Sequence, residues 1–472
     1  MITATNSEPL LKEEDECNYE SDIDTDSDDP SIVHSHKEPF IRREVPYDRY
    51  NLAYVVFYIL GVNTLIPWNF FITADDYWKY KFRPISPNGS HNVDYGFVEV
   101  SGNRTDLQAS FTSYMCIASA VPNTLFLIIN TFISNKISLS TRMIGSQGIV
   151  LAVFILTTSF AQVNTDTYQT EFLFITLASV AAVNAASAIF GGSLLGVVGR
   201  FSPKYITATN AGQALGGIFT ALTEILSLWI GASPVMSGLL YFIIGDFVLL
   251  LSLISYVFLE RAVFFKYHVI VPTQNPNEPQ FSINDEINFS GEHISYSRIF
   301  KKIWKYGVSV MMIFVITMSV YPSVTVLVES QGKGHGHQWN DKYFVPVVTY
   351  LLFSCGDYMG RILSGIFIWP KNKPWLVVFL SFLRIIFVPA FLVCNAQPRH
   401  RLPVYIHDDA WYILLTVLFG ITNGYLCNII FMLGSAAVDL KEKEVASAML
   451  GAFLGIGVSL GSPIGLLMVK IL

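Results

Sequence analysis

Charge is what this chain has least of. Of its 472 residues, 52% are hydrophobic and only 14% are Asp, Glu, Lys or Arg, whereas soluble domains carry about 25% charged residues. A mean hydropathy of +0.46 points the same way. An ordinary water-soluble domain is excluded on these grounds. Cysteine is scarce as well. Cys17, Cys116, Cys355, Cys394 and Cys427 lie far apart, and four of them fall in or at the end of apolar segments. That spacing gives neither a disulfide framework nor a paired-cysteine metal site, so they read as packing residues. No nucleophile elbow, HExxH or P-loop occurs, which leaves enzyme readings without a motif. The net charge of -6 is concentrated near the N-terminus and offers nothing to nucleic acid.

What is present is a series of long apolar runs. From Tyr50 to Ala74 the chain carries no charge at all, long enough to cross a bilayer. Inside that run sit Pro67, Trp68, Asn69 and Thr73. Lipid gives no reason to keep an amide or a hydroxyl there, but a water-filled path through protein does. Further apolar segments predict spans over Phe111–Ile133, Met143–Val163, Phe172–Gly199, Tyr205–Ile230 and Met236–Leu259. After them come Tyr306–Leu327, Tyr343–Trp369, Trp375–Cys394, Ala410–Gly434 and Val445–Val469. The expectation is an all-α multi-pass membrane protein of eleven transmembrane helices.

The segments between spans set the organisation. Residues 1–30 hold eleven acidic residues against one Lys, and the stretch 1–49 reads as a disordered acidic tail on the cytosolic side. It has no apolar core of a signal peptide, so the first span is expected to act as an uncleaved anchor. Residues 260–304 read as a long polar cytosolic loop. It separates a six-helix bundle at 50–259 from a five-helix bundle at 305–472, a 6+5 division of the two-halved transporter kind. With the N-terminus in the cytosol, inner ends collect about twice as many Lys and Arg as outer ends, among them Arg49, Arg142, Arg200 and Lys302. The sequons at Asn88 and Asn103 then fall in the first outer loop, where glycans are added, and the sequon at Asn288 falls inside.

Charges within the spans are the candidate functional groups. Asp357 and Arg361 stand four residues apart mid-span, on one helix face and within pairing reach. A lone Arg at the bilayer centre costs about 2.5–3.5 kcal/mol on insertion scales, which a paired Asp offsets in part. The pair serves either as a structural lock between helices or as a polar anchor facing a transport path. Arg384, Glu224 and Asp246 are further intramembrane charges, with Glu224 and Asp246 the candidates for a proton-linked role. Glycines recur at Gly191, Gly192, Gly196, Gly212, Gly216, Gly451, Gly455 and Gly461, where small faces let helices approach closely. His335 and His337 flank Gly336 in an outer loop without a third metal ligand.

Several of these segments together resemble the equilibrative nucleoside transporters. Gly61 to Ala74, with its Pro67-Trp68-Asn69 centre, is similar to that family's first-helix signature, and Asp357-Tyr358-Met359-Gly360-Arg361 to its D-x-x-G-R signature. Tyr321-Pro322-Ser323-Val324, Asn423-Gly424-Tyr425 and Gly192-Ser193-Leu194-Leu195-Gly196 match further family segments in order, so the resemblance runs from about Tyr50 onward. It implies a fold similar to the major facilitator group, and facilitated diffusion of nucleosides such as adenosine and uridine, with nucleobases in some members, without a cofactor. Leu65, Trp68, Asn69 and Ile72 are implied to line the nucleobase side, Asp357 and Arg361 the ribose end, and Tyr321 and Tyr350 the cavity wall. Ser187 and Gly191 stand where members sensitive to nucleoside-mimicking inhibitors often carry Gly and Gln. A nucleoside is neutral, flat at one end and rich in hydroxyls at the other. Trp68 can stack on the base, worth about 1–3 kcal/mol, and a guanidinium can donate to ribose oxygens. A proton-coupled carrier of an acidic endolysosomal compartment is the alternative. Leu10-Leu11 in the tail resembles a sorting signal, and the loops resemble plasma-membrane members equally well.

Overall fold

The computed structural model describes residues 46–83, 106–134, 136–231, 233–270, 295–371, 373–397, 399 and 401–472. Its order is helical throughout: α1 (Leu52–Thr73), α2 (Asp75–Lys81), α3 (Asp106–Ile133), α4 (Leu139–Ala161), α5 (Gln169–Val198), α6 (Pro203–Ile230), α7 (Pro234–Arg261) and α8 (Val263–Ile270). After the undescribed 271–294 follow α9 (Tyr296–Val320), two π-helical stretches (Trp339–Tyr343 and Val345–Leu352) that run into α10 (Phe353–Ile366), α11 (Pro374–Leu383), α12 (Phe387–Leu392), α13 (Asp409–Ala436) and α14 (Lys443–Ile471). The sequons at Asn88, Asn103 and Asn288, and Leu10-Leu11, lie outside the described residues.

Local chemistry sets the helix ends. Ser138 Oγ accepts from the Thr141 amide and starts α4, and Ser233 Oγ accepts from Met236 ahead of Pro234 in α7, each satisfying one of the orphan donors of a first turn. Gly231 closes α6 at φ +67°, a conformation that favours glycine. The buried Asp48 carboxylate accepts from the amides of Ala53 and Tyr54 and from the Tyr205 hydroxyl. It thereby ties the start of α1 to α6.

Nine helical stretches among the described residues are long and apolar enough to span a membrane. The eleven-span expectation exceeds that count at two places. In α3, Ile117–Ile133 counts as a shorter apolar helix among the described residues, while the helix itself covers the uncharged run 111–133. The segment ending in α10 carries Asp357 and Arg361 and opens with π-helical turns around Pro346. The region between spans also differs. α8 occupies its beginning, and α9 starts at Tyr296, well before the apolar run, on an amphipathic stretch with Ile299 and Ile303 fully buried. Side chains such as Trp229, Phe247, Phe258 and Trp411 are more than half exposed, the outward apolar face that lipid covers.

Glycine decides which helices touch backbone to backbone. A Cβ on Gly61 would stand 2.1 Å from the Thr209 carbonyl oxygen, and one on Gly212 would stand 2.2 Å from that of Tyr58, so α1 and α6 approach as only bare backbones can. The same holds between α10 and α13, where a Cβ on Gly360 would lie 2.2 Å from Ile421 O and one on Gly424 1.9 Å from Asp357 O. Across the molecule, helices before and after 271–294 meet where α4 begins and α5 ends. There Arg142 and Arg200 both bind the Glu444 carboxylate at the start of α14, Arg142 at 2.6 Å. Asn210 Nδ2 of α6 donates to Asn428 Oδ1 of α13 at 2.7 Å.

Candidate functional site

The close α10–α13 packing fixes the surroundings of Asp357. Asn423 sits one residue before Gly424, and its Nδ2 donates to Asp357 Oδ1 at 2.7 Å. The other carboxylate oxygen accepts from Arg361 Nε at 2.9 Å, the i, i+4 pair that the spacing predicts. Asp357 and Arg361 are 6% and 4% exposed. A buried pair holds only if its remaining lone pairs and protons are satisfied, and here they nearly all are. Arg361 Nη1 donates to Asn210 O at 2.8 Å and to Gln213 Oε1 at 3.0 Å, both on α6. The pair therefore joins α10 and α13 to α6. Nη2 of Arg361 has no acceptor among the described residues, yet it is not sealed from its surroundings. It is a charged donor left over after the protein has taken its share.

Arg384 stands behind this pair. Its Nη1 donates to Asn423 Oδ1 at 3.1 Å and to Thr317 Oγ1 at 3.2 Å, and its guanidinium lies 4.7 Å from the Phe419 ring centre. Asn423 thus links Arg384 to Asp357. Arg384 acts on the carboxylate through an amide and has no direct place beside Arg361. The aromatic wall lies one to two turns further along. Tyr321 stacks on Phe353 with centroids 4.1 Å apart and meets Tyr350 edge-on at 6.2 Å. At the α1 end of this seam, Tyr58 donates to the Tyr358 hydroxyl at 2.8 Å.

The residues on α1 and α5 occupy a separate surface. Trp68 is half-buried against the cluster built on Phe70, Phe71 and Trp78. Its ring meets no other ring, and its N–H has no acceptor among the described residues. Leu65 is 38% exposed. Ile72 packs partly on the same cluster as Trp68, and Asn69 is half-buried and has a polar partner of its own. On α5, Ser187 Oγ is buried without a partner, and nothing lies within 4 Å of where a Gly191 Cβ would stand. The fold thus brings Asp357 to Arg361, and Tyr321 to Tyr350. Trp68 itself shares no hydrogen bond or ring contact with either pair among the described residues.

The proton-linked candidates divide. Asp246 of α7 receives the Thr158 hydroxyl of α4 at 2.7 Å and keeps its other oxygen buried and unpartnered; it lies away from the Asp357 network. Glu224 of α6 is half-buried and engaged. His335 and His337 lie exposed in their loop, and no group of three metal-ligating side chains forms among the described residues. Sequence reasoning missed Asn210 and Gln213, three residues apart on α6. Amides inside an apolar helix were the available signal.

Comparison with known proteins places this geometry. The family model described as Nucleoside transporter matches residues 177–470. Human equilibrative nucleoside transporter 1 is 32% identical over 88% of this chain and 96% of its own length. Human equilibrative nucleoside transporter 2 is 30% identical over 90% and 98%, and rat equilibrative nucleoside transporter 3 is 30% identical over 88% of each. Among solved structures, the major facilitator proton:xylose symporter XylE covers 88% of this chain and of its own with a TM-score of 0.56 at 10% identity. The transporter FucP, in its outward conformation, covers 89% and 97% at 0.51 and 12%. These two show the fold alone. The relatives and the family model establish that the chain is a multi-pass membrane protein, with a fold like that of these two structures, and that it belongs to the equilibrative nucleoside transporter family.

Proposed function

We propose that this chain is an equilibrative carrier of nucleosides that works by alternating access. The observation that carries the reading is the Asp357–Arg361 pair, held by Asn423 and by two acceptors on α6, with Arg361 Nη2 still open. A neutral ribose offers hydroxyl oxygens to such a donor. The unstacked Trp68 ring supplies a flat face for the base, and the open space beside Gly191 leaves room on α5. Leu65, Asn69, Ile72, Ser187, Tyr321 and Tyr350 complete the proposed lining. Adenosine and uridine are the proposed substrates, with nucleobases a secondary class.

Residues 50–259 and 305–472 are the two proposed moving units. The Arg142–Glu444–Arg200 cluster and the Asn210–Asn428 bond join them in this state, so opening that face must part these contacts. Opening costs no cofactor; two states of comparable energy and a substrate gradient suffice. The excess of Lys and Arg at the ends near the start of α1 supports a cytosolic N-terminus, and the acidic tail fits a late endosomal or lysosomal membrane as well as the plasma membrane. The test is saturable uptake of labelled uridine or adenosine into transporter-deficient cells, at acid and at neutral pH. Absence of such uptake at both, with the protein shown to be at the surface, overturns the proposal.

A further inference from the structure

A polar cavity lies between the start of α4, the end of α5, α8 and the start of α14. Its volume is about 270 Å³, and Lys136, Ser138, Arg142, Arg200 and Glu444 line it. Three cations face one carboxylate. Arg142 is spent: its nitrogens donate to Ile137 O, Ser134 O, Ser193 Oγ and Glu444, and it is 4% exposed. Arg200 is not. Its Nη1 donates to Val269 O and its Nη2 to Glu444, but its Nε is buried without a partner, and the side chain stays 28% exposed. Lys136 is exposed, and its ammonium has no hydrogen bond or ion pair among the described residues. Both Glu444 oxygens are already taken, one by each arginine. The first turn of the long helix α4 opens on the same wall, with Ser138 as its cap, and adds partial positive charge.

We propose that this cavity binds the phosphate monoester group of a ligand, on Lys136 and Arg200. The charge count chooses the ligand class. The lining carries two cations more than carboxylates, and a phosphate monoester brings about 1.5 to 2 negative charges near neutral pH with three strong acceptor oxygens. Arg200 supplies a guanidinium that is 28% exposed and Lys136 a mobile ammonium, which are the donors such a group takes. Size sets the extent. The cavity falls just below the roughly 300–1,000 Å³ of drug-sized sites, so it admits the phosphate and a little more, with the rest of the ligand outside its mouth. The ligand's oxygens then compete with Glu444 for Arg200, at the contact that joins α5 to α14. That group comes either from a soluble phosphate compound or from a lipid headgroup.

The experiment is thermal unfolding of the purified full chain in detergent. One arm adds inorganic phosphate against chloride at equal ionic strength. The other adds mixed micelles of phosphatidylinositol 4-phosphate against phosphatidylcholine alone. A saturable rise of the unfolding midpoint with phosphate assigns a soluble source, and a rise confined to the phosphorylated lipid assigns a headgroup. In either case Lys136→Ala must weaken the half-saturating concentration about tenfold or more, the loss of one charge-assisted bond. Its midpoint without ligand must stay unchanged, since Lys136 holds nothing in place. Phosphate also salts proteins into compactness without a site, and that effect persists in Lys136→Ala. Equal shifts in wild type and Lys136→Ala, or no shift in both arms, overturn the proposal. Neither arm measures transport, so failure here and failure of the carrier reading are separate results.

Discussion

Replacing Arg361 separates the anchor reading from a purely structural one. Arg361→Ala removes three donated bonds at once and leaves the buried Asp357 carboxylate without its ion pair, hydrogen-bonded by the neutral Asn423 amide. Removing one partner of a buried pair costs about 3–5 kcal/mol, so this variant should lose thermal stability together with transport. Arg361→Lys is the sharper probe. The ammonium keeps the charge opposite Asp357, but a single nitrogen cannot reach Asp357, Asn210 O and Gln213 while also donating outward as Nη2 does. The variant should fold with a modestly lowered unfolding midpoint. Each hydrogen bond to a charged group is worth about 1.5–3 kcal/mol, so loss of the outward donor predicts a roughly tenfold to hundredfold fall in uptake efficiency for labelled uridine. Initial uptake rates normalised to surface protein, read beside the unfolding midpoint, decide it. Uptake at the wild-type level in a well-folded Arg361→Lys protein would refute the reasoning.

Three further substitutions test other parts of the site. Trp68→Ala should raise the KM for purine nucleosides about tenfold, in line with the roughly 1–3 kcal/mol of one stacked base, with a modest fall in unfolding midpoint because the half-buried ring packs on the cluster built on Phe70, Phe71 and Trp78; an unchanged KM counts against the base platform. Gly424→Ala places a Cβ 1.9 Å from the Asp357 carbonyl oxygen, so α10 and α13 must part and both surface expression and uptake should collapse, whereas normal uptake would contradict the backbone packing described here. Gly191→Gln meets no atom within 4 Å at its Cβ; it should fold normally and gain sensitivity to thioinosine-type inhibitors, measured as a lower half-inhibiting concentration, and unaltered inhibition would place Gly191 outside the base site.

Much of this molecule was legible in its sequence, and the exceptions have physical reasons. Helices α5, α6 and α7 end within a few residues of their apolar runs, because Ser-Pro starts and a glycine stop punctuate them. The Asp357–Arg361 pair followed from a spacing of four on a helix. Its other partners did not. Asn210, Gln213 and Asn423 reach it from α6 and α13, and hydropathy records only that an amide interrupts an apolar run. Arg384 read as an intramembrane charge open to pairing across helices, but its link to Asp357 depends on Asn423 standing between them. The early start of α9 was hidden because its first turns alternate basic residues with buried Ile299 and Ile303, which lowers mean hydropathy without breaking the helix. The π-helical turns before α10 leave no periodic signature, since hydropathy averages over the extra residue per turn.

Counterflow in proteoliposomes addresses the carrier claim most directly. Vesicles holding purified protein are loaded with unlabelled uridine and diluted into a trace of labelled uridine, with and without a protonophore. The account predicts a transient overshoot of label that depends on internal uridine, that the protonophore leaves intact and that Arg361→Lys lacks. Labelled uridine that binds the protein but shows no counterflow, in vesicles proven sealed, would contradict it.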